Sequence, residues 1–371
     1  MTLKKEIYDV IIIGAGVMGC AIAREISVRH RGKKVIVLEK LPDVGLETSR
    51  LNSGVLHSGF HQNPKFLKSQ LAREGSRIAL DYMGRNKLPV LRCGMLIALS
   101  GQSIGGAIEE LPSLINMAKR GASKDLKVKF LTSFGVKKLE PNLKSWGGIF
   151  IPEVAVIDPV HFVRALSHDA LDNGVNFNFN SCVVRVEVLG DSYLVHTVSG
   201  CVSGKVIINA AGLYADEVSE MAGVDGYKLY PWRGEYYEVI GAKRGLIKRL
   251  IYPVHSHHYP GKGIHFSPRV DGRLFIGPNA RLVPSKNYYS EDKTDVSVFI
   301  EQIKRFCPDI NYCDLKWAYS GIRPTLSSAP GELDFIIKVD RLNPKLINLI
   351  GIDSPGLSAS MAIARHVCEL L

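Results

Sequence analysis

Apolar positions in the first forty residues fall into a strand, a helix and a second strand. Residues 8–13 are almost wholly apolar and β-branched, the pattern of a parallel strand covered on both faces. A helix-compatible stretch over 20–27 follows, then a strand over 34–38 that ends in Glu39. Further on, 64–86 reads as a helix with Leu67, Leu71, Ile78 and Leu80 among basic positions, and 92–99 as a strand. The stretch 101–150 mixes Gly, Ser and Lys with short apolar clusters and reads as an inserted cap. Asp158-Pro159 supplies an N-cap and a first-turn proline for a helix through 172, closed by Gly174. Strands are predicted over 175–179, 183–189, 193–198 and 205–209, with Gly190-Asp191 and Ser199-Gly200 as turns. A strand-rich insertion over 213–317 follows, and a buried strand over 346–350 leads into a final helix.

The turn after the first strand reads Gly14-Ala15-Gly16-Val17-Met18-Gly19. Gly14 permits the tight turn, Gly16 lets backbone approach a diphosphate, and Gly19 lets helix and strand pack closely. The helix N-terminus offers free N–H groups and the positive end of its dipole. Glu39 falls 20 residues after Gly19, where a carboxylate can accept hydrogen bonds from a ribose diol, and an acid at this place argues against a 2′-phosphate. A Rossmann-like dinucleotide site is therefore expected, for FAD or NAD. The fold class is α/β: a nucleotide-binding domain around a mostly parallel sheet, assembled from 1–90, 151–213 and 318–371, and an antiparallel-sheet substrate or cap domain from 91–150 and 214–317.

The segment Thr48-Ser49-Arg50-Leu51-Asn52-Ser53-Gly54-Val55-Leu56-His57-Ser58-Gly59 is a run of small and polar residues where an NAD enzyme would normally enter another strand and helix. With Val206-Ile207-Ile208-Asn209-Ala210-Ala211-Gly212, it resembles the FAD-dependent oxidoreductases of the D-amino-acid-oxidase superfamily. Asn52 to Gly59, Arg233-Gly234-Glu235-Tyr236, Ile251-Tyr252-Pro253, Gly263-Ile264-His265-Phe266-Ser267-Pro268 and Ile276-Gly277-Pro278-Asn279-Ala280 resemble, in order, the L-2-hydroxyglutarate dehydrogenase/oxidase pattern. Gly321-Ile322-Arg323-Pro324 and Asp353-Ser354-Pro355-Gly356-Leu357-Ser358 are more similar to glycine oxidase. The resemblance implies FAD, held by the glycine turn and by Glu39, Lys40, Thr48, Ser49, Asn52, Ser53, Gly54, Leu56, Val183, Val184, Ala211, Gly212, Gly321 and Arg323. Pro355, Gly356, Leu357 and Ser358 complete the set, at a second strand-to-helix junction suited to the flavin edge where negative charge develops.

It also implies oxidation of an L-2-hydroxy acid, with L-2-hydroxyglutarate first and glycerol 3-phosphate or an amine as rivals; a flavin-binding subunit without catalysis is the alternative of another class. Arg323 would hold the carboxylate, since a guanidinium matches it by a planar two-point fork. Arg233 is a second cation for a dicarboxylate or else a structural partner of Glu235 or Glu238, and Tyr236 and Tyr252 are further substrate contacts. His57 and His265 are the candidate bases, an ordinary imidazole pKa near ~6.5 suiting proton abstraction at neutral pH. His255, His257 and His258 beside Tyr252 lack a carboxylate or cysteine at ligand spacing and read as a solvated or gating loop, not a metal site. Lys262, close by, is a phosphate candidate.

Composition narrows the partners. The chain has 371 residues, 47 basic against 36 acidic, for a net charge of +11. That suits a small anionic substrate or an anionic lipid surface. No dense basic run interleaved with aromatics favours nucleic acid. Seven cysteines without a Cys-x-x-Cys pair signal neither zinc nor a disulfide framework and point to a reducing compartment. The apolar stretch 10–23 contains three glycines and is short for a bilayer span of roughly 20 residues. A cytoplasmic protein is expected, with peripheral contact at the inner membrane face, oligomeric state and the choice of quinone or oxygen as electron acceptor left open.

Overall fold

The computed structural model describes residues 7–123, 126–254, 263–341 and 343–371. The chain opens with β1 (Ile7–Ile13), α1 (Val17–Arg29), β2 (Val35–Leu38), β3 (Val55–Leu56), α2 (Leu67–Arg85), β4 (Val90–Leu91) and β5 (Met95–Ala98). Then come α3 (Ile104–Ala122), β6 (Lys129–Thr132), α4 (Ser133–Leu139), β7 (Gly147–Ile151), β8 (Ala155–Ile157), α5 (Pro159–Asp172) and β9 (Asn176–Asn178). The middle holds β10 (Val183–Leu189), β11 (Ser192–Thr197), β12 (Gly200–Asn209), α6 (Ala215–Met221), β13 (Tyr230–Val239), β14 (Leu250–Pro253) and β15 (His265–Pro268). The end carries β16 (Leu274–Gly277), β17 (Arg281–Leu282), α7 (Val296–Lys304), β18 (Leu315–Thr325), β19 (Ile336–Val339), β20 (Leu346–Ile350) and α8 (Gly356–Glu369).

Among the described residues these strands form three sheets. In the first, β9, β2, β1, β12 and β20 run parallel. The meander β10-β11-β12 and the pair β19-β20 are antiparallel extensions of it. Val10, Ile12, Val35, Val37 and Ile208 point to one face, where α1, α2, α5 and α8 bury them; Ile11, Ile13, Ile36 and Ile207 point to the other, under α6. An apolar run without alternation, as seen in 10–13, is what such two-sided burial requires. The second sheet has nine strands in the order β17-β13-β16-β15-β14-β5-β7-β6, with β18 on the free side of β13, and is antiparallel except at β14-β5. A small third sheet, β3-β8-β4, stands between them in sequence.

Two expectations are corrected. β18 pairs with β13 along its whole length, Tyr230↔Thr325 to Val239↔Leu315, so residues up to 325 belong to the substrate sheet and the boundary expected at 318 would cut a strand. The cap segment contains a 19-residue helix, α3, capped by Ser103, whose hydroxyl accepts from Gly106 N at 3.1 Å. Pro112 inside it and the glycines at 105 and 106 hid it, because both residue types ordinarily interrupt a helix. The Asp158 cap is present, its carboxylate accepting from Val160 N and His161 N.

Candidate active site

The glycine turn is built as its spacing requires. Gly14 has φ +103°, and a Cβ there would sit 2.6 Å from the Ala210 carbonyl oxygen; one on Gly19 would sit 1.9 Å from that of Gly14. Only glycine allows β1, β12 and α1 to approach so closely. Glu39 ends β2 buried, its carboxylate accepting from Ala15 N at 2.7 Å and Leu41 N at 3.0 Å. Burial raises its pKa above the ordinary glutamate value, and these two backbone donors partly offset the rise. Ser181 N donates to the Glu39 carbonyl, which brings the start of β10 beside it.

Residues 48–59 run from this turn toward the substrate sheet and are stitched to it. Val17 N donates to Ser49 Oγ (2.9 Å), Thr48 Oγ1 to the Ile322 carbonyl (2.9 Å), and Tyr319 OH to the Asn52 carbonyl (3.0 Å). Gly321 is obligatory here, since a Cβ on it would lie 1.9 Å from the Leu51 carbonyl oxygen. At the end of the track the His57 backbone is clamped from both sides. Its N–H donates to Ser358 Oγ of α8 (2.8 Å), and its carbonyl accepts from Ser76 Oγ of α2 (2.6 Å).

A cavity of about 580 Å³ joins these parts. Gly16, Val17 and Met18 line it at the start of α1; Thr48, Ser49, Asn52, Ser53 and His57 along the track; and Pro355, Gly356, Leu357 and Ser358 at the start of α8. Gly212, Tyr236, Tyr252, His265 and Arg323 complete the expected lining. Neither α1 nor α8 is capped by its own N-cap residue; Val17 N is held by Ser49 Oγ and Gly356 N by the Asp353 carbonyl, and both helix N-termini face one cavity. Tyr252 is wholly buried, its ring stacked on His265 (centroids 3.9 Å apart), with His61 at 5.5 Å and His57 at 6.4 Å. Burial raises the pKa of Tyr252 far above the ordinary phenol value, and its hydroxyl has no hydrogen-bond partner among the described residues. His265 shares a 2.9 Å hydrogen bond between Nδ1 and the Gly263 carbonyl; the neutral ring then carries its proton on Nδ1 and presents Nε2 as the basic atom.

Arg323 is half-buried. Its guanidinium donates to the Asn279 carbonyl at 3.3 Å and has no carboxylate partner among the described residues. Arg233 differs, and its expected place in the substrate site is corrected. It is fully buried and outside the cavity, donating to the carbonyls of Tyr288, Glu291 and Asp292 and lying 3.6 Å from Glu235. Strand alternation turns it to the opposite face from Tyr236.

Other expected contacts also lie off the cavity wall. Gly14, Ala15, Gly19, Glu39, Gly54, Leu56, Ala211 and Gly321 are not among its lining residues. Lys40 pairs with Glu47 at 2.9 Å and lies over the Tyr214 ring. Val183 packs into the core beneath α6, and Val184 is exposed, so neither side chain reaches the cavity. His255, His257, His258 and Lys262 lie outside the described residues.

The lining also includes residues that sequence reasoning did not select: His61 and Gln62, Lys68 of α2, Asn116 and Arg120 of α3, and Glu332 and Asp353. Lys68 is buried between Glu332 (3.8 Å) and Asp353 (3.7 Å). His61 was findable, lying four residues beyond His57; the others come from segments that only tertiary packing brings together. Among the described residues, no group of three metal-ligating side chains is disposed to hold an ion, and no helix is long and apolar enough to cross a membrane.

The class follows from comparison with known proteins. Residues 9–370 match the DAO family, described as FAD dependent oxidoreductase, and the chain belongs to that family. It is 28% identical to L-2-hydroxyglutarate dehydrogenase of Indibacter alkaliphilus over 98% of both chains. It is 30% identical to glycerol 3-phosphate dehydrogenase of Caloramator mitchellensis over 98% of this chain and 74% of that one. Among solved structures, dithionite-reduced L-α-glycerophosphate oxidase from Mycoplasma pneumoniae with FAD bound superposes with a TM-score of 0.88 at 30% identity, over 99% of this chain and 95% of that one. The protein is an FAD-dependent oxidoreductase. The glycine cradle and the two helix N-termini that face the cavity fit that cofactor.

Proposed function

We propose that the protein oxidises the hydroxyl-bearing carbon of a small L-2-hydroxy acid, with L-2-hydroxyglutarate as the leading substrate and 2-oxoglutarate as its product. The observation that carries this reading is Arg323: a cavity-lining guanidinium without a carboxylate partner among the described residues, on the same wall as Tyr236, Tyr252 and two buried histidines. Gly16, Val17 and Met18 would take the diphosphate, Glu39 the ribose, and residues 48–57 with 355–358 the flavin. Bound FAD supplies a two-electron acceptor for hydride, with quinone or oxygen as the terminal acceptor.

The chain's own residues set up the transfer. Arg323 binds the α-carboxylate by two parallel hydrogen bonds and so helps orient the single Cα–H toward the cofactor. His57 or His265 accepts the hydroxyl proton as the carbonyl forms. Tyr252, stacked on His265, offers its hydroxyl to the substrate oxygen and excludes water from that side. Arg120 of α3 lines the same cavity and supplies positive charge for a second acidic group, whereas Lys68 is already held between Glu332 and Asp353.

A second reading, glycerol 3-phosphate, is supported by the 30% identity and TM-score of 0.88 with the M. pneumoniae oxidase. The same cations suit a phosphate monoester. Anaerobic bleaching of the yellow flavin band distinguishes the two. Reduction by L-2-hydroxyglutarate at least about tenfold faster than by glycerol 3-phosphate is the expected result, a difference of ~1.4 kcal/mol in transition-state binding. The reverse order assigns the phosphate ester, and bleaching only by glycine or sarcosine refutes alcohol oxidation.

A further inference from the structure

The meander β10-β11-β12 carries a second chemical constellation, outside the cavity. Its inward positions Val186, Tyr193 and Val195 are buried in the core under α6. Its outward face brings polar residues together: register pairs Arg185 with His196 and His196 with Cys201, and Glu187 follows two places along on the same face. Cys201 Sγ lies 3.2 Å from His196 Nδ1, and His196 Nε2 lies 3.2 Å from Glu187 Oε1. Arg185 holds that same carboxylate oxygen at 2.6 Å. All three members of the relay are partly exposed.

The thiol and the carboxylate address opposite nitrogens of one ring, so they cannot converge on a metal ion. They form a relay. The Glu187 carboxylate faces the Nε2 side of the ring, and Nδ1 faces the thiol, where it is placed to accept the thiol proton. We propose that Cys201 is an activated thiol and a site of reversible oxidation by hydroperoxides. The sulfur attacks one peroxide oxygen; an S–O bond forms as the O–O bond breaks. The thiol proton passes to His196 Nδ1 and then to the departing hydroxide, giving water. Sulfur loses two electrons to become a sulfenic acid, and the peroxide gains them.

The other cysteines provide internal controls. Cys20, Cys93, Cys307 and Cys368 are buried, and burial pushes their thiols up, those of Cys307 and Cys368 to about 12. Cys313 is the most informative, being more exposed than Cys201 but with no histidine partner among the described residues. Reactivity that follows exposure alone therefore favours Cys313, and reactivity that follows the relay favours Cys201.

The test exposes the FAD-loaded protein to limiting hydrogen peroxide with dimedone present and reads label at each cysteine by peptide mass spectrometry. Cys201 is expected to label at least about tenfold faster than Cys313. His196→Gln, which cannot accept the proton, should slow Cys201 by at least about fivefold while Cys313 and the flavin content stay unchanged. Labelling of Cys313 at an equal or greater rate overturns the proposal, as does a His196→Gln protein whose Cys201 labels at the original rate. If that variant does not fold, the Cys201-to-Cys313 ratio in the unaltered chain and the milder Glu187→Gln variant, expected to slow Cys201 less, still decide it.

Discussion

The ribbon formed by β13 and β18 has two faces, and each carries an arginine. On one, Trp232, Gly234 and Tyr236 stand opposite Arg323, Gly321 and Tyr319; on the other, Arg233 and Glu235 stand opposite Ile322 and Ser320. The first face lines the cavity through Tyr236 and Arg323. The second is a closed network: Glu235 accepts from Thr294 N (3.0 Å), Thr294 Oγ1 and Asn279 Nδ2 (3.0 Å), while Arg233 spends its donors on three carbonyls. Identical side chains thus do opposite work. Parity along the strand decides which arginine is available to a ligand and which holds the sheet to the 288–294 segment.

Breaking the closed face should produce the largest effect. Arg233→Ala leaves Glu235 buried without its cation and three carbonyls without their donor, and is expected to cost about 3–5 kcal/mol of stability. Chemical denaturation measures this, and activity of the fraction still folded should be close to normal. Arg323→Ala should do the reverse. Loss of a two-point charge-assisted contact lowers kcat/KM by roughly hundredfold or more, with a melting temperature within about 2 °C of the original. Lysine at 323 restores only part of the loss, because it lacks the planar fork. A variant pair with these roles exchanged would mean that the faces are assigned the wrong way round.

That assignment was half legible in the sequence. Arg233 and Tyr236 are three residues apart, an odd separation that forbids a strand from presenting both to one cavity. The pairing that puts Arg323 on the same face as Tyr236 joins residues about ninety apart, and no local pattern encodes it; the domain boundary was misplaced at 318 for the same reason. The opening unit was fully legible because its determinants are local: β-branched runs, glycines forced by close backbone approach, and an acid at the end of β2. Asp158 was legible as a cap for the same reason. Helix α3 was hidden by Pro112, and with it Asn116 and Arg120. Lys68, Glu332 and Asp353 meet only because α2, the 330–334 segment and the turn before α8 fold onto one another.

The smallest effect sharpens the contrast through protonation, using the buried glutamates of the two regions. Glu39 has its pKa raised, chiefly by burial, whereas burial of Glu235 is outweighed by hydrogen bonds from Thr294 and Asn279 and by the charge of Arg233, so its pKa is lowered. For a lowered carboxyl, the folded state binds its proton less readily than the unfolded chain. Its stabilisation is therefore complete above the ordinary glutamate value of 4.5 and is lost as pH falls through the lower folded value. Glu235→Gln removes that titration. The stability gap between the unaltered protein and this variant should stay level from neutral pH down to about 5, then narrow under more acid conditions. For Glu39 the sign is opposite: the raised carboxyl favours folding most below 4.5, and its contribution falls as pH rises through the folded value. Replacing it with Gln should therefore improve relative stability at neutral pH and not at acid pH. Urea unfolding of both variants from pH 3 to 7 measures the two slopes. Slopes of the same sign would show that the two acids sit in equivalent surroundings, and the division between a carboxylate raised by burial and one held down by its hydrogen-bond network would fail.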